Sequence, residues 1–121
     1  MRRLLIATLI IVTGFFLYTV HAAHAFDPES LNKLHATNGC PGCDLSGANL
    51  AGIDLYGANL MGANLTDANL AGTTFSDADL TGANLNGATI NKKTNFSGAK
   101  LSNTIWIDGK TCRSGSMGRC R

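Results

Sequence analysis

From Leu45 onward a large apolar side chain returns at every fifth residue: Leu45, Leu50, Leu55, Leu60, Leu65, Leu70, Phe75, Leu80, Leu85 and Ile90. After one additional residue the beat resumes at Phe96, Leu101 and Trp106. Two places before most of these stands a small residue: Ala48, Ala58, Ala63, Ala68, Ala78, Ala83, Ala88 and Ala99. One place before most of them stands Asn or Asp, and two places after is usually Gly. A period of five fits neither a helix at 3.6 residues nor a strand at 2, so the chain is built of repeats.

If each large residue and the small one before it point inward, a pentapeptide is one short side of a tube. Gly turns the corner with a positive φ, and Asn or Asp bonds to nearby backbone. Four sides close a coil of about twenty residues, and stacked coils pair backbones at about 4.8 Å. A lumen this narrow holds one large side chain per side, and the rest of it must be Ala-sized.

The exceptions to Ala at the small inward position are Ile53, Thr73 and Thr94, with Cys43 and Thr104 at the ends. Four-sided closure puts Ile53, Thr73 and Thr94 on one face, provided the extra residue near Lys92 is absorbed at a corner. That face also carries Leu55, Phe75 and Phe96, which predicts stacked Phe rings. Closure with three or five sides scatters the exceptions, so the pattern favours four.

The run GANLAGIDLYGANLMGANLTDANLAG resembles the pentapeptide-repeat family, in particular its exported, cyanobacterial-type members. The resemblance covers about half the chain in thirteen consecutive units. It implies an all-β fold, a right-handed quadrilateral β-helix. It implies little about activity: some members resemble DNA and bind topoisomerases, while many exported ones have no assigned role.

At 121 residues the chain holds one small domain. Residues 1–25 read as a signal peptide, with Arg2 and Arg3, an apolar run Leu4–Val20, and Ala23-His24-Ala25 as a small-residue cleavage site. The alternative is an uncleaved membrane anchor, for which the run is short. From Phe26 onward eight basic and eight acidic side chains balance, so the whole-chain charge of +2 belongs to the leader. Residues 43–91 hold five Asp and no Lys or Arg, whereas 92–121 hold seven basic residues and one Asp. The body is mildly acidic and the far end basic.

Residues 26–42 read as an N-terminal cap containing a short helix over 26–39. Asp27 caps it, Pro28 suits its first turn, Glu29 faces its positive end and Gly39 suits its stop. Leu31, Leu34 and Phe26 give it an apolar side, fit to cover the open end of the first coil. His35 reads as a solvent-facing residue, since no second ligand is placed to join it.

Cys40-Pro41-Gly42-Cys43 is open to three readings: a redox pair, half a zinc site, or a local structural disulfide. Asp44 stands where haem attachment requires His. A repeat begins where a thiol-activating helix N-terminus belongs, which weakens the redox reading. A joint site with Cys112 and Cys120 requires spanning roughly 14 Å at the inter-strand spacing, too far for one bridge or one metal. An even cysteine count in an exported chain favours Cys40–Cys43 and Cys112–Cys120 as local bridges.

On the outer faces Asn49 with Asn69, and Asn64 and Asn84 following Asp44, are expected to form ladders of side-chain amides. Asp79 and Lys100 fall one coil apart on another face, an exposed pair. The repeat proper runs over 43–108. Beyond it, residues 109–121 enclose a Gly/Ser-rich loop between Cys112 and Cys120, with the apolar run Ile105-Trp106-Ile107 just before it. Trp-x-Asp-Gly followed by Cys and Gly-Ser-x-Gly-x-Cys also resembles the closing segment of exported family members. Arg113, Arg119 and Arg121 there are candidates to contact an acidic partner.

No Ser-His-Asp set, catalytic carboxylate pair or phosphate-cradling loop emerges, and no cofactor or metal is implied. Three classes remain. The first is an exported non-catalytic scaffold, in the periplasm or thylakoid lumen, that binds another exported protein and touches membrane only through its leader if that is kept. The second is a thiol–disulfide oxidoreductase using Cys40 and Cys43. The third is a DNA mimic, for which the body carries too little acid, and no nucleic acid is expected as a ligand.

Overall fold

The computed structural model describes residues 26–121 and the backbone of two strands, β1 (Thr8–Thr13) and β2 (Phe16–His21). The strands pair antiparallel, with Thr8 opposite His21 and Thr13 opposite Phe16. The remainder of the expected leader, including Arg2, Arg3 and the Ala23-His24-Ala25 site, lies outside the described residues. Among the described residues no helix is long and apolar enough to cross a membrane.

Helix α1 spans Pro28–Thr37. Its start is fixed by Asp27, whose carboxylate accepts from the backbone N–H of Glu29 at 3.2 Å and of Ser30 at 3.1 Å. The Ser30 hydroxyl donates to the same carboxylate at 2.7 Å. The stop differs from the sequence expectation. Asn38, not Gly39, takes the left-handed conformation at φ 52°, and its N–H bonds the Leu34 carbonyl. Asn is among the residues that tolerate this region. Gly39 is thereby released to pair with Asn59, so the solenoid's backbone pairing starts before Cys43.

From Gly39 on, the chain winds in a β-solenoid. Asp44 pairs with Asn64, Asn49 with Asn69, Asp54 with Thr74 and Asn59 with Asp79, all parallel and all twenty residues apart. These bridges mark four sides per circuit. Each side contributes a single paired position before the chain turns, so the solenoid is made of isolated bridges and turns rather than the continuous strands that an all-β label suggests.

The unit Ala63–Asp67 shows why the repeat reads as it does, because all five of its N–H groups are satisfied. Ala63 donates to Leu60 O at 3.1 Å across the turn, and Asn64 to Cys43 O at 2.8 Å on the preceding coil. Leu65 donates to Asn84 O at 2.7 Å and Asp67 to Asn86 O at 3.0 Å, both on the following coil. The N–H left over, on Thr66, points to no backbone carbonyl. It donates to Asn64 Oδ1 at 3.0 Å. The same bond recurs from Ala51 to Asn49, Tyr56 to Asp54, Ala71 to Asn69 and Thr81 to Asp79. These side chains therefore serve their own turns. Of the expected amide ladders, one step is bonded among the described residues: Asn64 Nδ2 donates to Asp44 Oδ1 at 3.5 Å, while Asn49–Asn69 and Asn64–Asn84 are not bonded side chain to side chain.

Inward, Leu45, Leu50, Leu55, Leu60, Leu65, Leu70, Phe75, Leu80, Leu85 and Leu101 are buried together with Ala58, Ala63, Ala68, Ala78 and Ala83. Phe96 is buried, whereas Ile90 and Trp106 are half-buried. Where Thr replaces Ala, its hydroxyl finds a carbonyl on the preceding coil: Thr73 to Leu50 O at 2.7 Å, Thr94 to Leu70 O at 2.9 Å and Thr104 to Leu80 O at 2.7 Å.

The register slips once. Asn69 pairs with Thr89, but Thr74 pairs with Asn95, so the additional residue is absorbed between 89 and 95. At that corner Gly72 N–H donates to Asn91 Oδ1 at 3.0 Å and to Thr94 Oγ1 at 3.2 Å, so side chains receive a bond that backbone carbonyls take at regular corners.

At the far end the chain reverses. Gly109, at φ 81°, completes a tight turn in which its N–H bonds Trp106 O at 2.9 Å. The returning segment pairs antiparallel, Ile105 with Thr111 and Lys100 with Met117. It thereby covers the otherwise unpaired edge of the last coil, which is what a solenoid terminus requires.

Candidate functional site: the C-terminal basic cleft

The four cysteines sort into two local pairs at disulfide distance, with Cα separations of 5.4 Å for Cys40 and Cys43 and 4.8 Å for Cys112 and Cys120. Cys40 occupies an inward position of the beat, fully buried, with Sγ 3.3 Å from Ser30 O. It joins α1 to the first coil. Cys112 is likewise buried and sits in the returning segment, where its N–H bonds Thr104 O at 2.8 Å. Among the described residues no group of three His, Cys, Asp or Glu side chains is placed to hold a metal ion.

The returning segment shapes a cleft of about 530 Å³ lined by Trp106, Asp108, Lys110, Thr111, Arg113, Arg119, Cys120 and Arg121. Arg113 N–H bonds Arg121 O at 2.9 Å, so the two arginines are neighbours across the Cys112–Cys120 pair. Lys110 lies 3.9 Å from the Asp108 carboxylate. The three guanidiniums form no ion pair among the described residues. The three arginines are those expected from the sequence to meet an acidic partner, whereas Trp106 was expected in the core and in the apolar run that closes the last coil. The structure gives it a second role: its ring lies 5.0 Å from that of Phe96 at 60°, and it also walls the cleft. That role depends on the chain reversal at Gly109, which the five-residue beat does not foretell.

Elsewhere on the surface Lys100 Nζ reaches Asp79 at 3.6 Å, where the register placed it. Burial pushes the Asp79 carboxyl upward, but the Thr81 hydroxyl and N–H together with Lys100 outweigh it and hold the group below its ordinary range. The exposed Tyr56 hydroxyl donates to the Asp77 carboxylate one coil on, and this bond with the nearby negative charge raises the phenol's pKa. This contact was not expected from the sequence. Twenty-residue stacking sets Tyr56 beneath Ser76, beside Asp77 at the same corner one coil on.

Comparison with known proteins places the chain. A family model described as pentapeptide repeats matches residues 41–77 and 58–92 in eight copies. The chain belongs to the pentapeptide-repeat family. Among solved structures it is similar to a pentapeptide repeat protein from the cyanobacterium Cyanothece 51142, at 41% identity over 46% of this chain and 38% of that one, with a TM-score of 0.46. It is also similar to HetL, a pentapeptide repeat protein involved in heterocyst differentiation regulation in Nostoc sp. strain PCC 7120. There the identity is 32% over 60% of this chain and 32% of that one, with a TM-score of 0.43. A pentapeptide repeat protein from the Arabidopsis thaliana thylakoid lumen is 31% identical over 62% of this chain and 64% of that one, with a TM-score of 0.27. The chain thus spans less than two thirds of the length of each of these structures. No curated protein matches it.

Proposed function

We infer that this chain is an exported, non-catalytic protein-binding solenoid, its coil right-handed, its first end covered by α1 and its last by the Cys112–Cys120 cap. The observation that carries the reading is how side chains are allocated. Large apolar groups fill the lumen from Leu45 to Leu101, while the four outer rows carry mostly short polar groups, and Arg113, Arg119 and Arg121, in no ion pair among the described residues, line a cleft at one end. A filled rod with flat sides presents surface rather than an enclosed reaction chamber. Export is supported by the leader-like segment of residues 1–25 and by cysteine pairs of the kind that persist in oxidising compartments. The periplasm and the thylakoid lumen both fit.

The thiol-exchange alternative is disfavoured by one feature: Cys40 and the half-buried Cys43 follow the C-terminal end of α1, whose partial negative charge opposes a thiolate, and not an activating helix N-terminus. The test is affinity capture of the tagged chain from the exported fraction of its source, run beside an insulin-reduction assay. One dominant protein partner and no turnover is expected. Recovery of nucleic acid, or catalytic insulin reduction lost in Cys40→Ser, defeats the reading.

A further inference from the structure

The cleft at the returning segment has chemistry that the outer rows lack. It is concave, and its volume of about 530 Å³ lies within the range of ordinary binding pockets. Three guanidiniums line it without acidic partners, and each is a planar fork suited to a carboxylate. Trp106 supplies an apolar wall of the kind that anchors a recognised segment. The cross-link at Cys112–Cys120 and the Arg113–Arg121 backbone bond fix the frame from which the arginines project, so little ordering is left for binding.

The remainder of the molecule restricts what can enter. Residues 43–91 carry five Asp and no Lys or Arg, so a long polyanion laid along the rod meets repulsion beyond the cap. Asp108 within the cleft, beside Lys110, further opposes a dense array of phosphates. A short acidic segment entering end-on meets neither obstacle. We propose that the cleft seats a carboxylate-rich stretch of a partner polypeptide, with Arg113, Arg119 and Arg121 pairing its acids beside Trp106. This rests on the protein-binding reading above and specifies the partner's chemistry.

The chain contains one tryptophan, so selective excitation of Trp106 reports on the cleft alone. The full chain is titrated at low ionic strength with a hexaglutamate peptide. Parallel arms use hexaglutamine, single-stranded DNA and vesicles of phosphatidylglycerol with phosphatidylcholine. The expected result is a saturable change with hexaglutamate, absent with hexaglutamine and suppressed by salt. Replacing the three arginines together by Gln is expected to weaken it about tenfold or more, while Lys33→Gln leaves it unchanged. Folding of the triple variant is checked by its circular dichroism and melting temperature, and if it unfolds the single Arg113→Gln and Arg119→Gln variants carry the comparison. No saturable change, equal response to hexaglutamine, insensitivity to the arginine changes, or tighter binding of DNA or vesicles overturns the proposal. If the native partner is captured equally by the triple variant, this inference fails while the protein-binding reading stands; if the unaltered chain captures none, that reading fails first.

Discussion

The rings of Phe75 and Phe96 lie 5.1 Å apart and 8° from parallel, one coil above the other within the lumen. Both are buried, and Phe96 in turn meets Trp106, so a short aromatic column runs from the middle of the rod to its basic end. Truncation of a buried Phe to Ala typically costs about 3–5 kcal/mol, with Phe96 expected at the lower end because it is nearer the surface. Beyond burial, the ring pair itself is expected to couple by about 0.5–1.5 kcal/mol. Urea unfolding of Phe75→Ala, Phe96→Ala and the double variant measures that coupling. Strict additivity would contradict the stacked column.

Inward and outward alanines differ in what they can accept. Ala68 and Ala83 have no exposed surface, whereas Ala71 is half-buried on the outside of its turn. Leu at either inward site forces side chains into a filled lumen, a change that costs about 1–3 kcal/mol in ordinary cores and more where a closed ring of backbone bonds resists expansion. Ala71→Leu is expected to change stability by no more than about 0.5 kcal/mol. Thermal melts followed by circular dichroism compare the three. Equal melting temperatures would mean that Ala68 and Ala83 do not face inward.

The corner at Asn91–Thr94 holds one residue more than the other corners, and its Asn91 and Thr94 side chains receive the Gly72 N–H. Replacing Lys92-Lys93 by a single Gly restores a regular five-residue unit, with Gly at the position where regular corners take a positive φ. The expected outcome is a folded protein that melts at or above the parent temperature. Deleting Ala71 instead throws every inward residue beyond it out of register, and loss of the cooperative transition is expected. Unfolding of the Lys92-Lys93 replacement would show that the wider corner is required rather than tolerated.

The inward face was legible in the sequence because a five-residue beat leaves one consistent geometry for Leu50, Ala68 and Phe75 alike. The role of Asn64 and its equivalents was legible only in part. Their spacing marked the turns, but a side-chain oxygen can reach up to the next coil or back to its own turn. Only an inventory of N–H groups settles the matter, since the Thr66 N–H has no carbonyl to meet. The helix stop at Asn38 was missed because Asn and Gly both tolerate φ near 52°, and adjacent residues compete for it. The cleft was the least legible. Trp106 continues the beat and so reads as core, while Arg113 and Arg121 meet only because the chain doubles back and pairs antiparallel, a reversal no repeat encodes.

Acid should loosen the first end of the rod. Asp27 accepts from the Ser30 hydroxyl and from the N–H groups of Glu29 and Ser30, and the Ser30 hydroxyl contributes most to holding its carboxyl below the ordinary range despite some desolvation. A carboxylate whose folded pKa is depressed adds stability that is present above its unfolded pKa and is lost as pH falls through the folded value. Helix α1, which carries the buried Leu34 and touches Cys40 through Ser30 O, depends on that cap. Asp27→Ala is therefore expected to melt below the parent at neutral pH, with the gap narrowing steadily as pH drops below the usual carboxylate pKa. Melting temperatures of both proteins across this range check it, and hydrogen exchange at the N–H groups of α1 locates the change. A gap that stays constant into strong acid would show that Asp27 acts through its shape and not its charge.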